Sequence, residues 1–104
     1  MIKSMTIKGR RYKIKSGCDG ENMGEIDFTK REIYLSKEIK SQEDLYSTLL
    51  HEMMHAILHE AGLTQIISGD NQELIVENIS TAIYQEFFSK RGIKKWSTSI
   101  TKDK

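Results

Sequence analysis

The run His51-Glu52-Met53-Met54-His55 constrains this chain more than any other feature, because it falls inside a segment that reads as a buried helix. Leu45, Leu49, Met53, Ala56 and Ile57 recur at helical spacing and form one apolar stripe. Leu50, Met54, Leu58 and Ala61 form a second. A helix that is apolar round most of its circumference packs on more than one side. Burying imidazole and carboxylate groups there is costly unless something satisfies them.

A metal ion would satisfy them. Residues four apart project from one helix face, one turn from each other. That offset lets the imidazoles of His51 and His55 converge on one Zn²⁺ at about 2.0–2.1 Å. Glu52 lies about 100° round the helix from His51, so it flanks the metal without being forced to bind it. A carboxylate there can take a proton from a metal-activated water, which is the logic of H-E-x-x-H. In a chain of this composition about one shuffled sequence in two hundred would carry the motif by chance, so its setting matters as much as its letters. The plain alternative is a pair of core histidines held by backbone or acid groups.

Zinc needs a third protein ligand. His59 continues the same row, but three residues on one straight helix surround a tetrahedral ion poorly, and Glu60 shares the problem. His59 is therefore expected as a neighbour of the site. The metzincin pattern fails, since His59 follows His55 by four residues with no glycine between. Cys18 falls in a glycine-rich loop and reads as a plain small thiol. Glu73, Glu77 and Glu86 remain, on a second helix. Asp70 with Glu73 resembles a capping box, which gives Glu73 another task. Glu77 lies off the expected core stripe Ile75, Ile79, Ile83 and Phe87, beside Ser80, Thr81 and Tyr84. The expected ligand set is His51, His55 and Glu77, with Glu73 as the alternative third ligand and Glu52 as general base. Tyr84 is the one nameable donor for a developing oxyanion, against a packing role.

The rest of the chain supplies the frame. Residues 5–15 alternate apolar with basic groups and predict one half-exposed strand, bent near Gly9. Residues 16–24 read as a loop. Ile26 and Phe28, then Ile33 and Leu35, flank a short polar break and predict a hairpin. Ser41 with Asp44 caps the first helix, and Gly62 follows its end. The second helix is expected to run from Asp70 to about Arg91, stopped by Gly92. The fold class is therefore α+β: an antiparallel sheet of about three strands, then two main helices, the first carrying the histidines. All 104 residues are expected in one domain, with about 93–104 as a polar tail.

The net charge of +1 conceals an uneven distribution. Residues 1–15 carry six bases and no acid, and residues 90–104 carry six bases against Asp103. The middle holds fourteen acids and four bases. No nucleic-acid motif accompanies the basic ends, so they read as solvated surface, and nucleic acid is not the expected partner. No apolar run reaches the ~18 residues of a membrane span, and the basic start lacks a signal peptide's apolar region. A single cysteine excludes an internal disulfide and fits a reducing compartment, so a cytoplasmic location is expected.

From Gly24 to Tyr84, the order of hairpin (GEIDFTKREIYLS), acidic helix start (SQEDLYSTLL), HEMMHAILHE and later helix (QELIVENISTAIYQEFF) resembles a known family. These are the small zincin-like proteins of phages and mobile elements, related to ImmA/IrrE-type metallopeptidases. The resemblance covers about 60% of the chain. It implies a gluzincin-like zinc peptidase acting on a protein or peptide, with a sheet edge strand presenting the substrate backbone beside the metal. The family's third ligand is a glutamate of the later helix, carried over as Glu77. The asparagine that often follows it by four residues is Thr81 here. ImmA-type members cleave a DNA-binding repressor, and no appended recognition domain is expected in this chain. A non-catalytic zinc-containing interaction module is the alternative.

Overall fold

The computed structural model describes residues 3–17 and 23–88. The chain forms four strands, β1 (Ser4–Ile7), β2 (Arg10–Ser16), β3 (Gly24–Asp27) and β4 (Glu32–Leu35), followed by two helices, α1 (Gln42–Glu60) and α2 (Gly69–Ile83). A single 3₁₀ turn at Leu63–Gln65 links the helices, and a π-helical turn at Tyr84–Phe88 follows α2. The architecture is α+β. No helix among the described residues is long and apolar enough to cross a membrane.

The sheet departs from expectation in two respects. Residues 5–15 form a hairpin rather than one bent strand. Lys8 and Gly9 both take positive φ, 48° and 79°, as a two-residue type I′ reversal requires, and Ile7 pairs with Arg10 across it. The strand order is β1-β2-β4-β3, and β2 runs parallel to β4. The sheet is thus mixed and four-stranded, not antiparallel with about three. The chain leaves β2 and reverses into β3, leaving a slot between them that β4 fills. The hairpin of β3 and β4 is present as expected, paired from Gly24↔Leu35 to Asp27↔Glu32.

Both apolar stripes of α1 find partners. Leu49 and Ala56 pack on Tyr12, Ile14, Ile33 and Leu35 of the sheet, with Leu45, Met53 and Ile57 at the margin. Met54 and Leu58 pack on Val76 of α2. The opposite face of the sheet carries Arg11, Lys13 and Lys15 in exposed positions. There Glu32 forms an ion pair with Lys15 and accepts a 2.7 Å hydrogen bond from the Tyr34 hydroxyl.

Ser41 caps α1, its hydroxyl accepting the Asp44 N–H, and Gly62 follows the helix end in a left-handed turn. The cap of α2 differs from expectation. Ser68, not Asp70, accepts from the Asn71 N–H, and the helix starts at Gly69. The buried face of α2 centres on Val76 and Ser80, with Ile83 at its margin, whereas Ile79 is 41% exposed. The expected stripe of Ile75, Ile79 and Ile83 is therefore rotated by about one residue, or 100°. That rotation turns Glu73 and Glu77 toward α1. The expected end of this helix near Arg91, the tail 93–104 and Cys18 lie outside the described residues.

Candidate metal centre

A cleft of about 840 Å³ opens between β3 and α2, with α1 as its floor. His51 and His55 stand in it one helical turn apart, ring centroids 5.0 Å from each other and planes at 66°. Their side chains are 26% and 16% exposed, so each is packed on its flanks and open toward the cleft. From α2, Glu73 reaches both rings: Oε1 lies 3.2 Å from His55 Nε2 and Oε2 lies 3.8 Å from His51 Nε2. One donor atom each from His51, His55 and Glu73 fall within 4.8 Å of one another. Two ligands held about 2.0–2.1 Å from a tetrahedral Zn²⁺ are about 3.3 Å apart. The donor set therefore has the size and the N/N/O chemistry that this ion takes.

Glu77 occupies a different place from the one expected of it. Its Oε2 is 3.2 Å from Nδ1 of His51, the ring nitrogen on the side away from Glu73. The structure brings Glu73, not Glu77, into the group of donors. Glu73 is the alternative third ligand of the sequence reading, ranked behind Glu77 because a helix cap is expected to occupy it; Ser68 provides that cap instead. Gln72 fixes the approach of α2, its amide donating to the carbonyls of Ile67 at 2.7 Å and Thr64 at 3.2 Å. That bracing sits one residue before Glu73.

Glu52 is only 7% exposed, yet it lines the cleft. No hydrogen-bond donor among the described residues engages its carboxylate. Burial pushes its pKa above the usual carboxylate value; neighbouring Glu73 and Glu25 add to the effect and His51 opposes it. Burial likewise lowers the pKa of His55, although Glu73 works the other way. A neutral imidazole is the form that binds a metal.

The remaining candidates separate cleanly. His59 stacks on Phe28, centroids 4.4 Å apart and planes at 24°, and does not line the cleft. Glu60 accepts hydrogen bonds from the Tyr12 hydroxyl and Arg31 Nε, which accounts for it without a metal. Glu86 is exposed and lies outside the donor group. Tyr84 does not line the cleft; it is half-buried, its pKa raised by burial and by the acids Glu43 and Asp44 near the start of α1.

Two features of β3 border the site. Gly24, at the start of β3, is packed so closely that an added Cβ would lie 2.8 Å from Thr48 Cγ2 and 3.1 Å from Glu52 Cγ. The second is the free edge of β3. Ser36 N–H donates to Met23 O across the antiparallel pair at 2.8 Å. Pairing alternates from there, so the N–H and C=O groups of Gly24 and Ile26 face away from β4, on the outer edge of the sheet.

No family model, no curated protein and no solved structure matches the chain.

Proposed function

We propose that the protein is a zinc-dependent peptidase of the small zincin-like kind. The observation that carries this reading is the convergence of His51 and His55 on Glu73 beside a buried Glu52 whose carboxylate no donor among the described residues engages. His51, His55 and Glu73 would hold the ion. A Zn²⁺ in such a site supplies a water with a pKa of about 7 and a Lewis acid for a peptide carbonyl.

The chain's own residues do the rest. Glu52 accepts the proton of the attacking water and returns it to the departing amine. Its raised pKa suits both halves of that task, since the ideal general base sits near the working pH. The edge of β3 aligns an extended peptide by main-chain hydrogen bonds at Gly24 and Ile26. Glu77 holds the His51 ring through Nδ1, which leaves Nε2 directed at Glu73 and the ion.

Metal analysis of protein purified without nickel resin tests the first half of the reading. Stoichiometric zinc that is lost in His51→Ala is the expected result; near-zero zinc, or zinc indifferent to that change, rejects it. Hydrolysis of unfolded polypeptide by the zinc form tests the second half. Glu52→Gln should keep the metal and lose activity by about a hundredfold or more. Zinc without any hydrolysis would leave the non-catalytic interaction module.

A further inference from the structure

We propose that this cleft selects peptides carrying lysine or arginine next to the bond that lies at the metal centre; the proposal rests on the peptidase reading above. The chain has sixteen basic residues and fifteen acidic ones, yet among the described residues the cleft is lined by Glu25, Glu52, Glu73 and Glu77 and by no lysine or arginine. Glu73 is committed to the histidine pair and Glu52 to proton transfer, and a divalent ion offsets both. Glu25 has no basic partner among the described residues, and Glu77 keeps one carboxylate oxygen on His51 Nδ1 at 3.2 Å. They stand on opposite walls, one on β3 and one on α2, and both are solvent-exposed. No described lysine or arginine pairs with either. The cleft is also more than a cluster of acids, because Glu52 is buried, lacks a hydrogen-bond donor among the described residues and lines it.

Strand geometry says where the basic groups would go. Gly24 and Ile26 present their side-chain positions toward α1, so Glu25 projects from the other face of β3. A peptide laid along that edge places the side chain opposite Glu25 on the same face as Glu25. The next peptide side chain points to the other face, toward the α2 wall and Glu77. Adjacent positions of one extended segment thus meet one carboxylate each. Ile26 and Phe28 line the same wall and suit the aliphatic stems of lysine and arginine.

The test uses the full chain loaded with zinc and three quenched fluorescent peptides. These share one sequence except for a central pair that is Lys-Lys, Ala-Ala or Glu-Glu. Binding to zinc-loaded Glu52→Gln is read in parallel by anisotropy, so the charge preference is measured even if nothing is hydrolysed. The expected order in kcat/KM and in binding is Lys-Lys over Ala-Ala by roughly tenfold, with Glu-Glu weakest. The gap should shrink between about 50 mM and about 500 mM salt. Glu25→Lys should invert the order with zinc content unchanged, and Glu25→Gln should flatten it should the lysine variant misfold. Equal binding of the three peptides, a preference for Glu-Glu, no binding of any, or an order untouched by both Glu25 variants overturns the proposal. Binding in the expected order without cleavage supports it and rejects hydrolysis alone.

Discussion

Gly24 and Glu52 are in contact across the interface between β3 and α1, and the contact leaves no room for a methyl group at residue 24. A Cβ there would lie 3.1 Å from Glu52 Cγ and 2.8 Å from the Thr48 methyl. Thr48 is β-branched and stiff within the helix, so it cannot swing aside at low cost. Either the strand or the Glu52 side chain must move. Gly24→Ala is therefore expected to destabilise the protein by about 1–3 kcal/mol. It should also cut hydrolysis by at least about tenfold while zinc affinity stays within a few-fold. Urea unfolding, zinc titration and a peptidase assay on the same preparation check this. Unchanged activity in Gly24→Ala would show that the position of Glu52 does not depend on this contact.

Glu73 and Glu77 lie one turn apart on α2 and touch opposite nitrogens of His51. Their removal should therefore have unequal effects. Glu73→Ala takes away one of three donors and should give the larger loss of zinc affinity. Glu77→Ala leaves the donors in place but frees the His51 ring, for an expected loss of about 10–100-fold. Glu77→Gln keeps an oxygen that can accept from Nδ1–H and should recover most of that loss. Competition with a chromogenic chelator gives the three affinities. Should Glu77→Ala lose more than Glu73→Ala, the two roles are exchanged.

The chemistry of the site was more legible in the sequence than its third member. His51, Glu52 and His55 are fixed relative to one another by one helix, so spacing alone predicts their arrangement. Glu73 reaches them from another helix, and its direction depends on how α2 is rotated about its axis. That rotation is set by packing of Val76 and Ser80 on α1, and nothing in the spacing of Ile75, Ile79 and Ile83 announces it. The cap had the same ambiguity, since Ser68 and Asp70 both suit the start of a helix. The hairpin at Lys8-Gly9 was obscured because a lysine takes positive φ there, which few sequences signal. The parallel pairing of β2 with β4 joins residues distant along the chain, and local pattern carries no information about it.

Val76 links that packing to the candidate metal centre. It is fully buried between the helices, among Met54 and Leu58, one turn from both Glu73 and Ser80. Val76→Ala should cost about 2 kcal/mol through the cavity it leaves. The thermal midpoint of the metal-free protein should drop by roughly 8–16 °C. Zinc binds only the folded site, so a hundredfold excess over its dissociation constant should return about 2.7 kcal/mol. Calorimetry with and without zinc checks both numbers. If zinc restores nothing, the ion is not held by residues that only folding brings together.

Tyr12 and Glu60 give the frame a pH-dependent share of its stability. The Tyr12 hydroxyl donates to Glu60 Oε2, and Arg31 Nε donates to the same oxygen at 3.2 Å, tying β2 and the β3–β4 turn to the end of α1. Burial, reinforced by the Glu60 carboxylate, pushes the Tyr12 pKa up to about 12. The hydrogen bond from Tyr12, then the one from Arg31, holds the Glu60 pKa below its usual value despite partial desolvation. A lowered acid pKa adds stability above the unfolded value near 4.5, and that stability is lost as the pH falls through the folded value. A raised tyrosine pKa gives stability in full below the unfolded value of 10.0, lost as the pH rises toward about 12. The contribution of this pair should therefore be flat between about pH 5 and 10 and decline on both sides. Tyr12→Phe keeps the ring in the core and removes the hydroxyl. It should lower the plateau by about 1–2 kcal/mol and abolish the alkaline decline due to this residue, while Glu60 keeps its contact with Arg31. Urea midpoints measured from about pH 4 to 11 for both proteins decide it. An alkaline limb that survives unchanged in Tyr12→Phe would assign that decline to another group.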